Sequence, residues 1–114
     1  MHATAWHNGG SPADAAGYGI KFTEADRDRY FAKEWDDVML ELDGGNTTAV
    51  ALSPSFWRSC SELRSAEIGR WLLDRRVAPW LRGNPPSMVV TPLDGNRFSA
   101  RLLKQHVLLG PGST

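Results

Sequence analysis

The side chains best suited to covalent chemistry are Cys60, Ser61 and three histidines, His2, His7 and His106. Nucleophilic catalysis needs a thiol or hydroxyl within reach of a base, and usually a third group that orients the base. Nothing in the spacing joins these residues. No Gly-x-Ser-x-Gly turn presents a serine, and Cys60, set among bulky neighbours, reads as a small core filler. One cysteine and three scattered histidines lack the ligand spacing of a metal site, so no metal is expected. The carboxylate pairs Asp26/Asp28, Asp36/Asp37 and Glu41/Asp43 alternate with arginine and apolar residues. They read as a solvated acidic face rather than as acid/base machinery. Gly17-Tyr18-Gly19 opens no helix, so it is a turn before a strand and not a dinucleotide fingerprint; no cofactor is expected. An enzyme would need a histidine brought against Cys60 or Ser61 by the fold.

Recognition chemistry is better represented. Residues 56–84 read FWRSCSELRSAEIGRWLLDRRVAPWLRGN, with Trp57, Trp71 and Trp80 and six arginines within 25 residues. Arginine suits bidentate recognition of phosphate, carboxylate or guanine, and closely spaced arginines can track a phosphate backbone. Trp71 falls on the core side of a helix. Trp57 and Trp80 fall in irregular segments, where each is either a lid on the core or a flat apolar contact surface. Arg64 could instead pair with Glu67, and Arg70 with Asp74, across one helical turn. A second group is Trp6-His7-Asn8-Gly9-Gly10-Ser11. Its rings, amide and hydroxyl suit base edges or phosphates; the alternative is a strand with its tryptophan packed inside and an idle loop.

These residues need elements to position them. Residues 3–7 and 18–22 read as strands around a Gly/Pro/Ala-rich loop. Thr23 is a helix N-cap, with the helix over residues 24–33 and Ala25, Tyr30 and Phe31 turned inward. Val38, Leu40 and Leu42 alternate with Met39 and Glu41, a strand with one buried face. Asp43-Gly44-Gly45-Asn46 turns the chain into a partner strand over residues 47–52. Residues 56–64 are either a helical turn or an irregular arm. Ser65 caps a helix over residues 66–76, with Ile68, Trp71 and Leu72 on its apolar face. Residues 88–93 and 97–103 form a second hairpin about Asp94-Gly95-Asn96. The pattern predicts an α+β domain: a partly open antiparallel barrel of six to seven strands capped by two helices. It would occupy residues 1–109, with a frayed tail over residues 110–114.

At 114 residues there is room for one domain. The lone cysteine excludes an internal disulfide and fits a reducing, cytoplasmic setting. No apolar run is long enough to span a membrane, and the first ten residues do not read as a signal peptide. The net charge is zero, but residues 21–43 carry −4 and residues 56–105 carry +5. Such asymmetry points either to a polyanionic partner or to two halves that neutralise each other.

The element order, with Gly17-Tyr18-Gly19-Ile20-Lys21-Phe22 leading into a helix that ends in Tyr30-Phe31, and with Arg70-Trp71 and Gly83-Asn84-Pro85-Pro86 further on, resembles the DNA-binding pseudobarrels. These include the plant B-three transcription-factor domains and the effector-binding domain of a two-site restriction enzyme. The resemblance lies in topology over most of the chain, and much less in residue identity. It implies a domain that grips double-stranded DNA with two arms, which would be residues 6–11 and 55–64 here. The expected contacts are Trp6, His7, Asn8, Ser11, Trp57, Arg58, Arg64, Trp80, Arg82 and Asn84. A protein partner or a homodimer, with the exposed tryptophans as interface anchors, is the competing expectation.

Overall fold

Among the described residues, seven strands form one sheet in the order β4-β3-β7-β6-β1-β2-β5. They are β1 (His2–His7), β2 (Tyr18–Lys21), β3 (Asp37–Leu42), β4 (Asn46–Ala51), β5 (Glu62–Arg64), β6 (Ser87–Pro92) and β7 (Arg97–Leu102). The computed structural model describes residues 1–103. The edge strands β4 and β5 approach each other, so the sheet curls into a nearly closed barrel. The expected residues 104–109, the 110–114 tail and His106 lie outside the described residues.

Among the described residues, three α-helices accompany the sheet: α1 (Glu24–Tyr30), α2 (Pro54–Arg58) and α3 (Ala66–Asp74). Two begin where the caps predict. The Thr23 hydroxyl accepts from the Asp26 N–H, and the Ser65 hydroxyl accepts from the Glu67 N–H. The third, α2, resolves part of the ambiguous 56–64 segment. Pro54 fits the first turn, where a missing N–H costs nothing. The chain then re-enters the sheet as β5. α1 is shorter than its sequence suggests, because Phe31 is extended at its C-cap.

Val38, Leu40 and Leu42 are buried as the alternation predicts, and they face the interior with Val50, Met88, Val90 and Phe98. Gly44 and Gly45, both at φ +107, make the β3–β4 turn that a side chain would strain. At the helical end, Phe31 touches Phe22, Phe56 and Phe98 with ring centroids 5.2, 5.1 and 4.7 Å apart. This aromatic cluster ties β2, α1, α2 and β7 together, since each ring buries a large apolar area.

Three local readings change. β3 and β7 run parallel rather than antiparallel. The chain between β4 and β7 is long enough to return in either direction, so hairpin-length arguments do not govern that pair. Ala25 is exposed, while Arg27 is buried at 7% exposure. Arg27 can be buried because its charge is matched. Its Nε donates to Asp28 at 2.9 Å, its Nη1 donates to the Phe56 carbonyl at 3.1 Å, and its guanidinium lies 5.8 Å from the Trp57 ring centroid. Cys60, the expected core filler, is exposed, because it sits at the open turn between α2 and β5.

Candidate nucleic-acid interface

The N-terminal loop leaves β1 at His7 and returns at Gly17, closed by an Asn8 N–H bond to the Gly17 carbonyl (2.9 Å). The Asn8 side-chain oxygen accepts from Gly10 N–H at 2.8 Å, the Ser11 hydroxyl accepts from Ala13 N–H at 3.4 Å, and Asp14 caps the short 3-10 turn Ala15–Gly17. The polar side chains of the loop thus hold its own shape. Asn8 and Ser11 are exposed, so an amide donor and a hydroxyl still face outward.

His7 has a different setting. Its Nδ1 accepts from Gly9 N–H at 3.2 Å, which assigns the proton of the neutral ring to Nε2. Nε2 is buried and has no hydrogen-bond partner among the described residues. The ring packs on Tyr18 (4.5 Å between centroids), and both rings meet Trp80 edge-on, at 6.4 Å from His7 and 5.6 Å from Tyr18. A cavity of about 260 Å³ opens beside them, lined also by Gly9, Gly10, Pro12 and Pro79. The structure therefore joins two segments more than 70 residues apart in the chain, the His7 loop and the Trp80 loop.

Tyr18 itself is buried, with its hydroxyl donating to the Pro12 carbonyl at 2.6 Å. Burial disfavours the phenolate and raises its pKa above the ordinary value of 10.0. A raised folded-state pKa contributes stability that is complete below the unfolded value, and is lost as pH rises through the folded one. Denaturant unfolding at pH 9 and pH 11 is therefore expected to show a larger alkaline loss in the wild type than in Tyr18→Phe; equal losses would contradict this.

Trp6, Gly19 and Arg64 lie in one row across β1, β2 and β5, paired Trp6 with Gly19 and Gly19 with Arg64. Arg64 is exposed, and its guanidinium sits 5.5 Å from the centroid of the half-buried Trp6 ring. The expected Arg64–Glu67 pairing does not form. Glu67 is engaged instead by Arg70, three residues on, which also displaces the expected Arg70–Asp74 pair.

The remaining expected residues are spread more widely. Trp57 lies on α2, half-buried between Arg27 and Lys33, whose charged groups are 5.8 and 5.9 Å from its ring centroid. That makes Trp57 mainly a packing residue for the helices. Arg58 is exposed at the end of α2. Arg82 and Asn84 are exposed in the 79–86 loop, and Asn84 borders a second cavity of about 270 Å³ on Trp80 with Leu81 and Arg76. Arg58 and Trp57 are not in contact with the His7 loop: β5 runs antiparallel to β2, so Arg64 lies at the loop end and residues 57–60 lie beyond the opposite end, past Lys21.

Sequence reasoning missed Tyr18, Gly19 and Arg27. Only Gly19 carried a local signal, a glycine inside a strand, which marks close backbone approach.

Charge is distributed unevenly among the arginines. Among the described residues, ion pairs join Arg27 to Asp28, Arg70 to Glu67, Arg75 to Asp43, and Arg97 to Glu41 and Asp94. Arg58, Arg64 and Arg82 form none there, nor do Arg29, Arg76 and Arg101. Asp37 is occupied by the Asn96 amide. No described helix is long and apolar enough to cross a membrane. Among the described residues, no three His, Cys, Asp or Glu side chains converge as a metal site would require. No protein-family model, curated protein or solved structure matches the chain.

Proposed function

We propose that this chain is a DNA-binding pseudobarrel, and that it holds duplex DNA along the β1–β2–β5 side of the sheet. The observation that carries the reading is that Arg58, Arg64 and Arg82 are exposed and free of carboxylate partners among the described residues, while Glu41, Glu67 and Asp43 are taken up by other arginines. An arginine without an internal counter-charge keeps its full attraction for phosphate, and its fork can bond guanine or phosphate bidentately. The nearly closed seven-stranded sheet, with a loop after β1 and a helical arm before β5, supports the same reading by its shape. In this reading Arg58, Arg64 and Arg82 meet phosphates or guanine edges. Asn8, Ser11 and Asn84 supply exposed polar contacts. His7 and Trp80 shape the loop that carries them, rather than stacking on bases.

A mobility shift with mixed-sequence duplexes at low salt tests the reading. Retardation that fades as salt rises is expected, because phosphate contacts release counterions. No retardation even at low salt would sink it.

Leu81, at 73% exposure beside the Trp80 cavity, favours a second reading, a protein-interaction surface. A dimer by light scattering, together with indifference to DNA, would favour that reading over the first.

A further inference from the structure

We infer that Trp6 is a positioning residue: its ring holds the Arg64 guanidinium ordered before any nucleic acid arrives, and Trp6 does not itself stack on a base. The consequence for binding rests on the DNA reading above; the ordering of Arg64 does not.

Along β1 the side chains alternate, with Ala3 and Ala5 buried, so Trp6 stands on the other face, toward the outside of the barrel. Its register partner on β2 is Gly19, and the partner of Gly19 on β5 is Arg64. With any larger residue at position 19, a side chain would separate the two. Glycine removes that obstacle, and it also lets β5 approach, since a Cβ there would collide with the Leu63 carbonyl oxygen and lie 3.2 Å from the Arg64 Cα. The guanidinium can then reach across the row to the Trp6 ring, 5.5 Å from its centroid.

The usual competitor for that guanidinium is absent. Glu67, in the first turn of α3, is the carboxylate that the spacing offers to Arg64, but Arg70 takes it. Among the described residues Arg64 therefore has the Trp6 ring as its charge partner, and a ring face attracts a cation without using any of its five N–H donors. A carboxylate would have occupied those donors, and would have cancelled the charge that a phosphate or guanine needs. The aromatic partner orders the side chain and leaves its fork available. An arginine already confined to one geometry loses less rotamer freedom on binding, and this is how a residue that touches no ligand can raise affinity.

A double-mutant cycle read by DNA affinity tests the inference, with the isolated chain as its own control. Trp6→Ala is expected to weaken binding about 2–5-fold, the worth of an exposed cation–π contact. In an Arg64→Ala background the same change should cost nothing further. In an Arg82→Ala background, where no contact is shared, its cost should be undiminished. Equal cost of Trp6→Ala in all three backgrounds would mean that Trp6 acts independently of Arg64, and would overturn the inference.

A second readout needs no DNA. The NMR resonances of the Arg64 side chain should be displaced by the indole ring current, restored in part by Trp6→Phe, and returned to ordinary positions by Trp6→Ala. Resonances at ordinary positions in the wild type would overturn the ordering outright. A wild-type chain that ignores DNA, with its Arg64 resonances displaced, would instead overturn the nucleic-acid reading and the role of Trp6 in binding, while leaving the ordering established.

Discussion

Replacing Arg58, Arg64 and Arg82 together with alanine is expected to lower the affinity for duplex DNA by about 100-fold or more at low salt, with each arginine worth about 1–3 kcal/mol. All three are exposed and outside the ion pairs of the described residues. Their removal therefore strands no buried carboxylate, and the melting temperature should stay close to that of the wild type. If all three meet phosphates, the dependence of log K on log salt should flatten by about 2.7, at about 0.9 per contact. Each arginine that reads a base edge instead should leave the slope unchanged and relax preference at one position. The comparison variant is Arg70→Ala, whose guanidinium is already held by Glu67. A triple variant that binds no more weakly than Arg70→Ala would show that the unpaired arginines are not the contact surface.

The largest effect on stability is expected at Gly69. In an exposed helix interior, glycine to alanine stabilises by about 1 kcal/mol. Gly69 lies inside α3 and is buried, and a Cβ there would collide with the backbone of Ala15, in the 3-10 turn beneath it. Both sides of that contact are main chain, so neither can rotate away as a side chain would. The helix must lift from the turn, disturbing the burial of Ile68 and Leu72 on the same face. Overpacking of this kind costs about 1–3 kcal/mol, which outweighs the propensity gain. Gly69→Ala should therefore destabilise by about 1 kcal/mol net, and a larger residue such as valine by more. Denaturant unfolding checks the sign, and a more stable Gly69→Ala would mean that α3 and the turn do not touch as described. The same displacement would move Asp14 and the loop it anchors, so weakened DNA binding should accompany the loss of stability.

Features set by residues near one another in the chain were legible before the fold was known. Thr23 and Ser65 cap their helices because the orphan N–H groups lie two or three residues away. Val38, Leu40 and Leu42 announce one buried face by a period of two, and Asp94-Gly95-Asn96 announces its hairpin. Trp71 falls on the buried face of α3 as its spacing with Ile68 and Leu72 requires, and its indole N–H finds the Asp43 carbonyl at 2.9 Å.

What stayed hidden depends on distant partners. The parallel pairing of β3 with β7 joins residues more than 50 apart. Arg27 reads as a surface charge until Phe56, Trp57 and Asp28 are placed around it. Arg64 has an acidic neighbour at helical spacing, but Arg70 is nearer to that carboxylate on the helix, and the ring that replaces it arrives from β1. The candidate residues fall in the segments flanking α3 and at the end of the first strand. Sequence spacing alone does not reveal that His7 and Trp80 share one cluster, or that Trp57 serves the helices rather than the loop.

The most direct measurement is the affinity of the wild-type chain for duplex DNA as a function of salt, by fluorescence anisotropy, with the same duplex sequence throughout. DNA binding through the unpaired arginines predicts saturable binding, and a straight line of log K against log salt with a slope of about −3 or steeper, about −0.9 for each phosphate neutralised. No binding at low salt, or an affinity that does not change with salt, would contradict it.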